Sequence, residues 1–177
     1  MSMIRLAWLL VLLGLSSLAR ADAGDPRSDD FWYGTAADGT PTVRLYYFFS
    51  PTCPHCQAAK PFIAELQARN AWLEVRRYSV KDHRGNARFY YETAQTLGAE
   101  ALSVPGFVFC RQIIIGYDSA GTTGKELADA LQACHDRRAA NPGAPDPAPT
   151  AGRASGTAAT QLSAAEANAG TTVNLPF

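Results

Sequence analysis

The 177-residue chain has no excess of either charge: Lys plus Arg and Asp plus Glu are 16 each. That removes the basic field with which nucleic acid or an anionic membrane is held, so no nucleic-acid partner is expected. Histidine is scarce, at three, and cysteine stands at four. A zinc site built on one Cys-x-x-Cys needs two further ligands with their own tight spacing. Cys110 and Cys134 stand alone, and His55, His83 and His135 make no second half, so no metal and no cofactor is implied. Long apolar runs are also missing beyond Leu18. Nothing downstream approaches the roughly 20 residues that a membrane-spanning helix requires.

What is present divides the chain into four. Residues 1–21 carry Arg5 as a short positive head, an apolar stretch from Leu6 to Leu18, and Ala19-Arg20-Ala21 as a small-x-small cleavage site. This is the pattern of a signal peptide cleaved near Ala21, with an uncleaved anchor as the alternative. Export, to the periplasm or otherwise out of the cytosol, makes disulfides possible. Residues 22–41 read as an N-terminal extension and 42–138 as the folded domain. From Ala139 to Gly170 the chain is dominated by Ala, Pro, Gly, Ser and Thr, too poor in large apolar side chains to offset its ordering entropy. Residues 139–177 therefore read as a disordered linker or tail, ending in a mildly apolar "TTVNLPF" that suits either a docking strand or the approach to a further domain.

Within the domain, "TVRLYYFFS" (42–50) is rich in β-branched and aromatic residues and nearly continuously apolar from Leu45, which suits a strand buried on both faces. After Pro51, Ala59, Phe62, Ile63 and Leu66 recur at helical spacing. Pro61 is expected to kink that helix or cost it a backbone bond. "WLEVRRYSV" (72–80) reads as a second strand, and "GNARFYYETAQTLGAE" (85–100) as a helix with Gly98 as its C-cap. "SVPGFVFC" and "QIIIGY" read as antiparallel neighbours across a very short turn. "TTGKELADALQACHDRR" (122–138) is a helix with a possible capping box, Thr123 with Glu126. This order predicts an α/β fold: a small mixed β-sheet with helices on both faces.

Cys53-Pro54-His55-Cys56 falls where a strand gives way to a helix. Helix starts carry unpaired N–H groups and about half a positive charge, which favour an anion such as a thiolate. Cys53 is then the nucleophile, and Cys56, one turn on, the thiol that resolves a mixed disulfide. Pro54 suits a first turn that needs no N–H partner. His55 can hydrogen-bond or add positive charge, and each feature that stabilises the thiolate stabilises the reduced pair. The pair is thus expected to be more oxidising than that of thioredoxin. Soft thiolates also suit Cu(I), so a copper-carrying module is an alternative. A redox domain of a larger membrane-anchored protein is another.

The strand, the C-P-H-C at a helix start, and Val104-Pro105 opening a later strand together resemble the thioredoxin superfamily. The tetrapeptide is most similar to exported disulfide oxidoreductases of the DsbA type. The resemblance spans about Val43 to Arg138. It implies a thioredoxin-like fold and an enzyme exchanging disulfides with protein thiols, with a membrane redox partner in addition. It also implies a cis Pro105 against the cysteine pair, with Val104 pairing to substrate backbone. Two departures stand out: there is room for only one helix between the second strand and Pro105, and "RLYYFFS" lacks a buried acid. Oxidase, reductase and isomerase all remain open.

Cys110 and Cys134 are expected to form a structural disulfide. The strand after Cys110 runs back for about 20 Å at 3.3 Å per residue. The helix then returns about 17 Å at 1.5 Å per residue before reaching Cys134, on its apolar face. Two buried free thiols are the alternative.

Overall fold

A computed structural model describes residues 24–101, 103–143 and 146, together with a backbone bridge at 153–154. Residues 1–23, where the sequence suggests a signal peptide, and most of the tail lie outside the described residues. The elements are α1 (Asp29–Trp32), β1 (Tyr33–Thr35), β2 (Pro41–Phe49), α2 (Pro54–Arg69), β3 (Leu73–Ser79), α3 (Arg84–Thr96), β4 (Gly106–Phe109), β5 (Gln112–Ile115), a π-helical turn (Ala120–Gly124), α4 (Lys125–Ala140) and β6 (Arg153–Ala154). The fold is mixed α/β with an open sheet.

Strand β2 is the spine of that sheet. It pairs in parallel with β3 along Val43–Phe49, antiparallel with β1 through Tyr33↔Val43 and antiparallel with β4 through Tyr46↔Val108. Because β3 already occupies one side of Val43 and of Tyr46–Phe48, β1 and β4 lie end to end on the other. β5 continues antiparallel from β4, and β6 adds in parallel to its outer edge.

Alternation along β2 sends its aromatic side chains to opposite faces. Tyr46 stacks on Phe31 of α1 at 4.4 Å and Phe48 on Tyr90 of α3 at 4.5 Å, on one face. On the other, Tyr47 stacks on Phe107 at 5.4 Å and donates its hydroxyl to the Cys56 carbonyl of α2. Leu127, Leu131 and Cys134 of α4 are fully buried, and His135 stacks on Trp72 at 4.3 Å. Side chains of this size each contribute about 1.5–3 kcal/mol on full burial, so β2 alone anchors much of both layers.

The N-terminal extension is part of this core rather than ahead of it. Phe31, Trp32 and Tyr33 are all buried, the Tyr46 hydroxyl donates to the Phe31 carbonyl at 2.6 Å, and β1 completes the ladder. Three further expectations meet a local outcome. Helix α2 runs unbroken through Pro61. Gly98, with φ +68°, ends α3 as expected: Ala99 N–H bonds the Ala94 carbonyl and Gly98 N–H that of Gln95, the paired bonds of a Schellman cap. The capping box forms not at Thr123 and Glu126 but four residues earlier, between Ser119 and Thr122. Thr123 is buried instead, its hydroxyl accepting the Asp118 N–H.

The β4–β5 turn has only two residues, Cys110 (φ 45°) and Arg111 (φ 57°). Positive φ at both positions gives the twist that two-residue hairpins need, usually supplied by Asn-Gly. Here tertiary contacts hold it. Cys110 is bonded to Cys134, and Arg111 donates to the Arg27 carbonyl at 2.8 Å.

Candidate active site

Strand β2 delivers the chain to a tight turn in which Cys53 N–H bonds the Ser50 carbonyl at 3.2 Å. Cys53 is the N-cap of α2, in extended geometry, and Pro54 opens the helix behind it. The Cys53 Sγ accepts the Cys56 N–H at 3.3 Å, so one otherwise orphaned donor of the helix start points at sulfur. Across the site, the Cys53 thiol faces the carbonyl of Val104 at 3.5 Å, and the Val104–Pro105 peptide bond is cis. Pro105 is buried and Val104 half-buried.

Both cysteines are free thiols, Cys53 half-exposed and Cys56 fully buried. Burial, and then the thiol of Cys53 hydrogen-bonded to it, push Cys56 up from its ordinary 9.0 to about 12. A half-exposed thiol and a protonated thiol held beneath it are thus one helical turn apart. His55 is exposed, with its Nδ1 2.8 Å from the Tyr117 carbonyl. A carbonyl can only accept, so Nδ1 carries the proton and Nε2 is left for a second hydrogen-bond partner.

Three tyrosines frame the pair, and none was singled out from the sequence. Tyr47 reaches the Cys56 carbonyl at 2.9 Å from the sheet below. Burial first, and then the neighbouring Cys56 and Cys53, raise its pKa, which keeps it a donor. Tyr90 donates to the Ser103 carbonyl at 3.0 Å, steadying the segment that carries Val104. Tyr117 supplies the carbonyl under His55, and its ring joins Phe62, Ala58, Pro61, Glu65 and Asp118 around a cleft of about 380 Å³. In the sequence these tyrosines read as ordinary strand and helix residues; their roles appear only when elements far apart in the chain meet.

No family model and no curated protein matches the chain. The chemistry of the site therefore stands on its own geometry. Cys53, Pro54, His55, Cys56, Val104 and Pro105 come together. Cys110 and Cys134 do not join them: they form a disulfide with Cα atoms 6.5 Å apart, just beyond the far end of β4, whose last residue Phe109 lies about 13 Å from Pro105 at 3.3 Å per residue. Among the described residues no group of three or more His, Cys, Asp or Glu side chains is placed to hold a metal ion. No helix of the described residues is long and apolar enough to cross a membrane.

Proposed function

We propose that the chain is an exported thiol–disulfide oxidoreductase with a thioredoxin-like fold. The observation that carries this reading is the unequal placing of two thiols: Cys53 half-exposed at a helix start, opposite the Val104 carbonyl at 3.5 Å, with Cys56 buried one turn behind. The order β3–β2–β4–β5 and the helices on both faces support the fold assignment.

In the reducing direction, the Cys53 thiolate attacks one sulfur of a substrate disulfide and the other leaves as a thiolate. Cys56, giving up its proton, then attacks Cys53 Sγ, and the second substrate sulfur departs. Two electrons pass to the substrate and the pair becomes a disulfide; oxidation of a substrate dithiol is the same sequence reversed. Substrate backbone is held at Val104, beside the cis Pro105, and protein thiols are the partners. Export rests on the sequence of residues 1–21.

The test is disulfide exchange on a reduced or scrambled test protein. Cys53→Ser is expected to abolish it, while Cys56→Ser traps a mixed disulfide through Cys53. Retained turnover in Cys53→Ser would place the chemistry elsewhere.

A further inference from the structure

The tail reads from its composition as a tether without structure of its own, yet two of its described pieces return to the domain at different places. Asp146 is the first. Its side chain is only 7% exposed; one carboxylate oxygen accepts the Tyr33 hydroxyl, and the other faces Arg111 Nε at 3.8 Å. Burial, followed by this hydrogen bond to Asp146, raises the pKa of Tyr33, so the phenol stays a donor. The Arg138 guanidinium lies 4.3 Å above the Tyr33 ring, and Asp29 pairs with Arg111 at 3.4 Å and Arg138 at 3.1 Å. Two guanidiniums thus face two carboxylates. Without Asp146 the cluster holds one positive charge too many, half-buried, a state that burial penalises.

The second piece is β6, whose Arg153 and Ala154 lie beside Ile114 and Ile115. The β4–β5 ladder fixes which groups are free to receive it. Phe109 and Gln112 close the two-residue turn and Gly116 N–H bonds the Pro105 carbonyl. Residues 112, 114 and 116 therefore point their polar backbone groups inward at β4. Ile113 and Ile115 point theirs outward, to the side where β6 sits. That edge carries three isoleucines in succession and no charge from Gln112 to Tyr117, the composition that invites another chain to pair when an edge is left open.

We infer that Asp146 and Arg153–Ala154 form an intramolecular strap: the carboxylate seats between Tyr33 and Arg111, and the strand it tethers closes the outer edge of β5. Helix α4 carries Cys134 back to the end of the sheet where Cys110 lies, and β6, parallel to β5, heads for the opposite end, where Tyr117 meets His55. A partner that adds a strand at β5 must first displace this segment.

The test is amide hydrogen exchange on the full chain, read at Ile115, with the inward-facing amides of Gln112, Ile114 and Gly116 as internal controls. In the wild type Ile115 is expected to be protected, independently of protein concentration, with a nuclear Overhauser contact between Ile114 or Ile115 and Arg153. Asp146→Ala is expected to speed exchange at Ile115 by about tenfold or more while the three controls stay unchanged. Exchange at Ile115 as fast as in an unstructured peptide would overturn the strap. So would protection that Asp146→Ala leaves intact, or protection that rises with concentration, which would mean that a second copy covers the edge.

Discussion

Gly106 has no room for a side chain, and the reason lies in how the site is built. A Cβ placed on it would sit 2.2 Å from the Tyr90 hydroxyl oxygen, 2.4 Å from Cζ and 2.6 Å from Cε2, whereas ordinary contact begins at 3.4 Å. The ring would have to withdraw by more than an ångström. It cannot do so freely, because Tyr90 is buried and stacked 4.5 Å from Phe48. Overpacking of this kind costs about 1–3 kcal/mol, and loss of the bond from Tyr90 to the Ser103 carbonyl adds about 1 kcal/mol. Gly106→Ala is therefore expected to destabilise the protein by about 2–4 kcal/mol, lowering its urea midpoint by about 1–2 M at unchanged slope. The decisive comparison is a double-mutant cycle with Tyr90→Leu, which removes all three colliding atoms. In that background Gly106→Ala should cost less than about 0.5 kcal/mol, nearly the whole penalty appearing as coupling. If the two costs simply add, the collision with Tyr90 is not what forbids a side chain at 106.

Two further outcomes follow from the two pairs of cysteines. Cys56 is pushed up to about 12, so between its ordinary 9.0 and that value the folded protein keeps a proton that the unfolded chain releases. Stability of the reduced protein is thus fully present below about pH 9 and falls as pH rises toward 12. The buried tyrosines add to the same fall but remain in a Cys56→Ala variant, so the wild type should lose stability more steeply than that variant in alkaline urea titrations; parallel curves would refute the assignment. The Cys110–Cys134 bond closes a loop with a sequence separation of 24, worth about 3 kcal/mol in the chain-entropy account. Replacing both cysteines by Ala should lower stability by about that amount and leave disulfide exchange through Cys53 intact. Loss of exchange in a folded double variant would instead tie the two pairs together.

The site was legible in the sequence because it is local. A strand rich in aromatic residues, two cysteines three positions apart at a helix start, and a proline opening a later strand are patterns over a few residues each. Cys110 and Cys134 were also within reach, since strand and helix rises alone bring them to one end of the sheet. Residues 24–41 were not: α1 has four residues and β1 three, too short for any periodicity, and Trp32 is buried only because β2 and its neighbours surround it. Composition likewise hid the burial of Asp146, since Tyr33 and Arg111, its partners, lie 113 and 35 positions away. The capping box was misplaced for a subtler reason. Thr123 and Glu126 fit the Ser/Thr-x-x-Glu pattern better than Ser119 and Thr122 do, yet the box forms at the π-helical turn that precedes α4.

The placing of β2 also bears on how the chain assembles. Its partners lie at very different distances in sequence: ten residues for Tyr33↔Val43, thirty for Val43↔Leu73 and sixty-two for Tyr46↔Val108. Loop closure favours the nearer pairings, so the β1–β2 and β4–β5 hairpins can form while the central ladder is still open. Cys53 and Val104 belong to different sides of that ladder. The groove that faces Cys53 is therefore complete only once β4 has paired with β2. If the chain exchanges disulfides as proposed, a partner can be met at Val104 only once the contact most distant in sequence in its own sheet has closed.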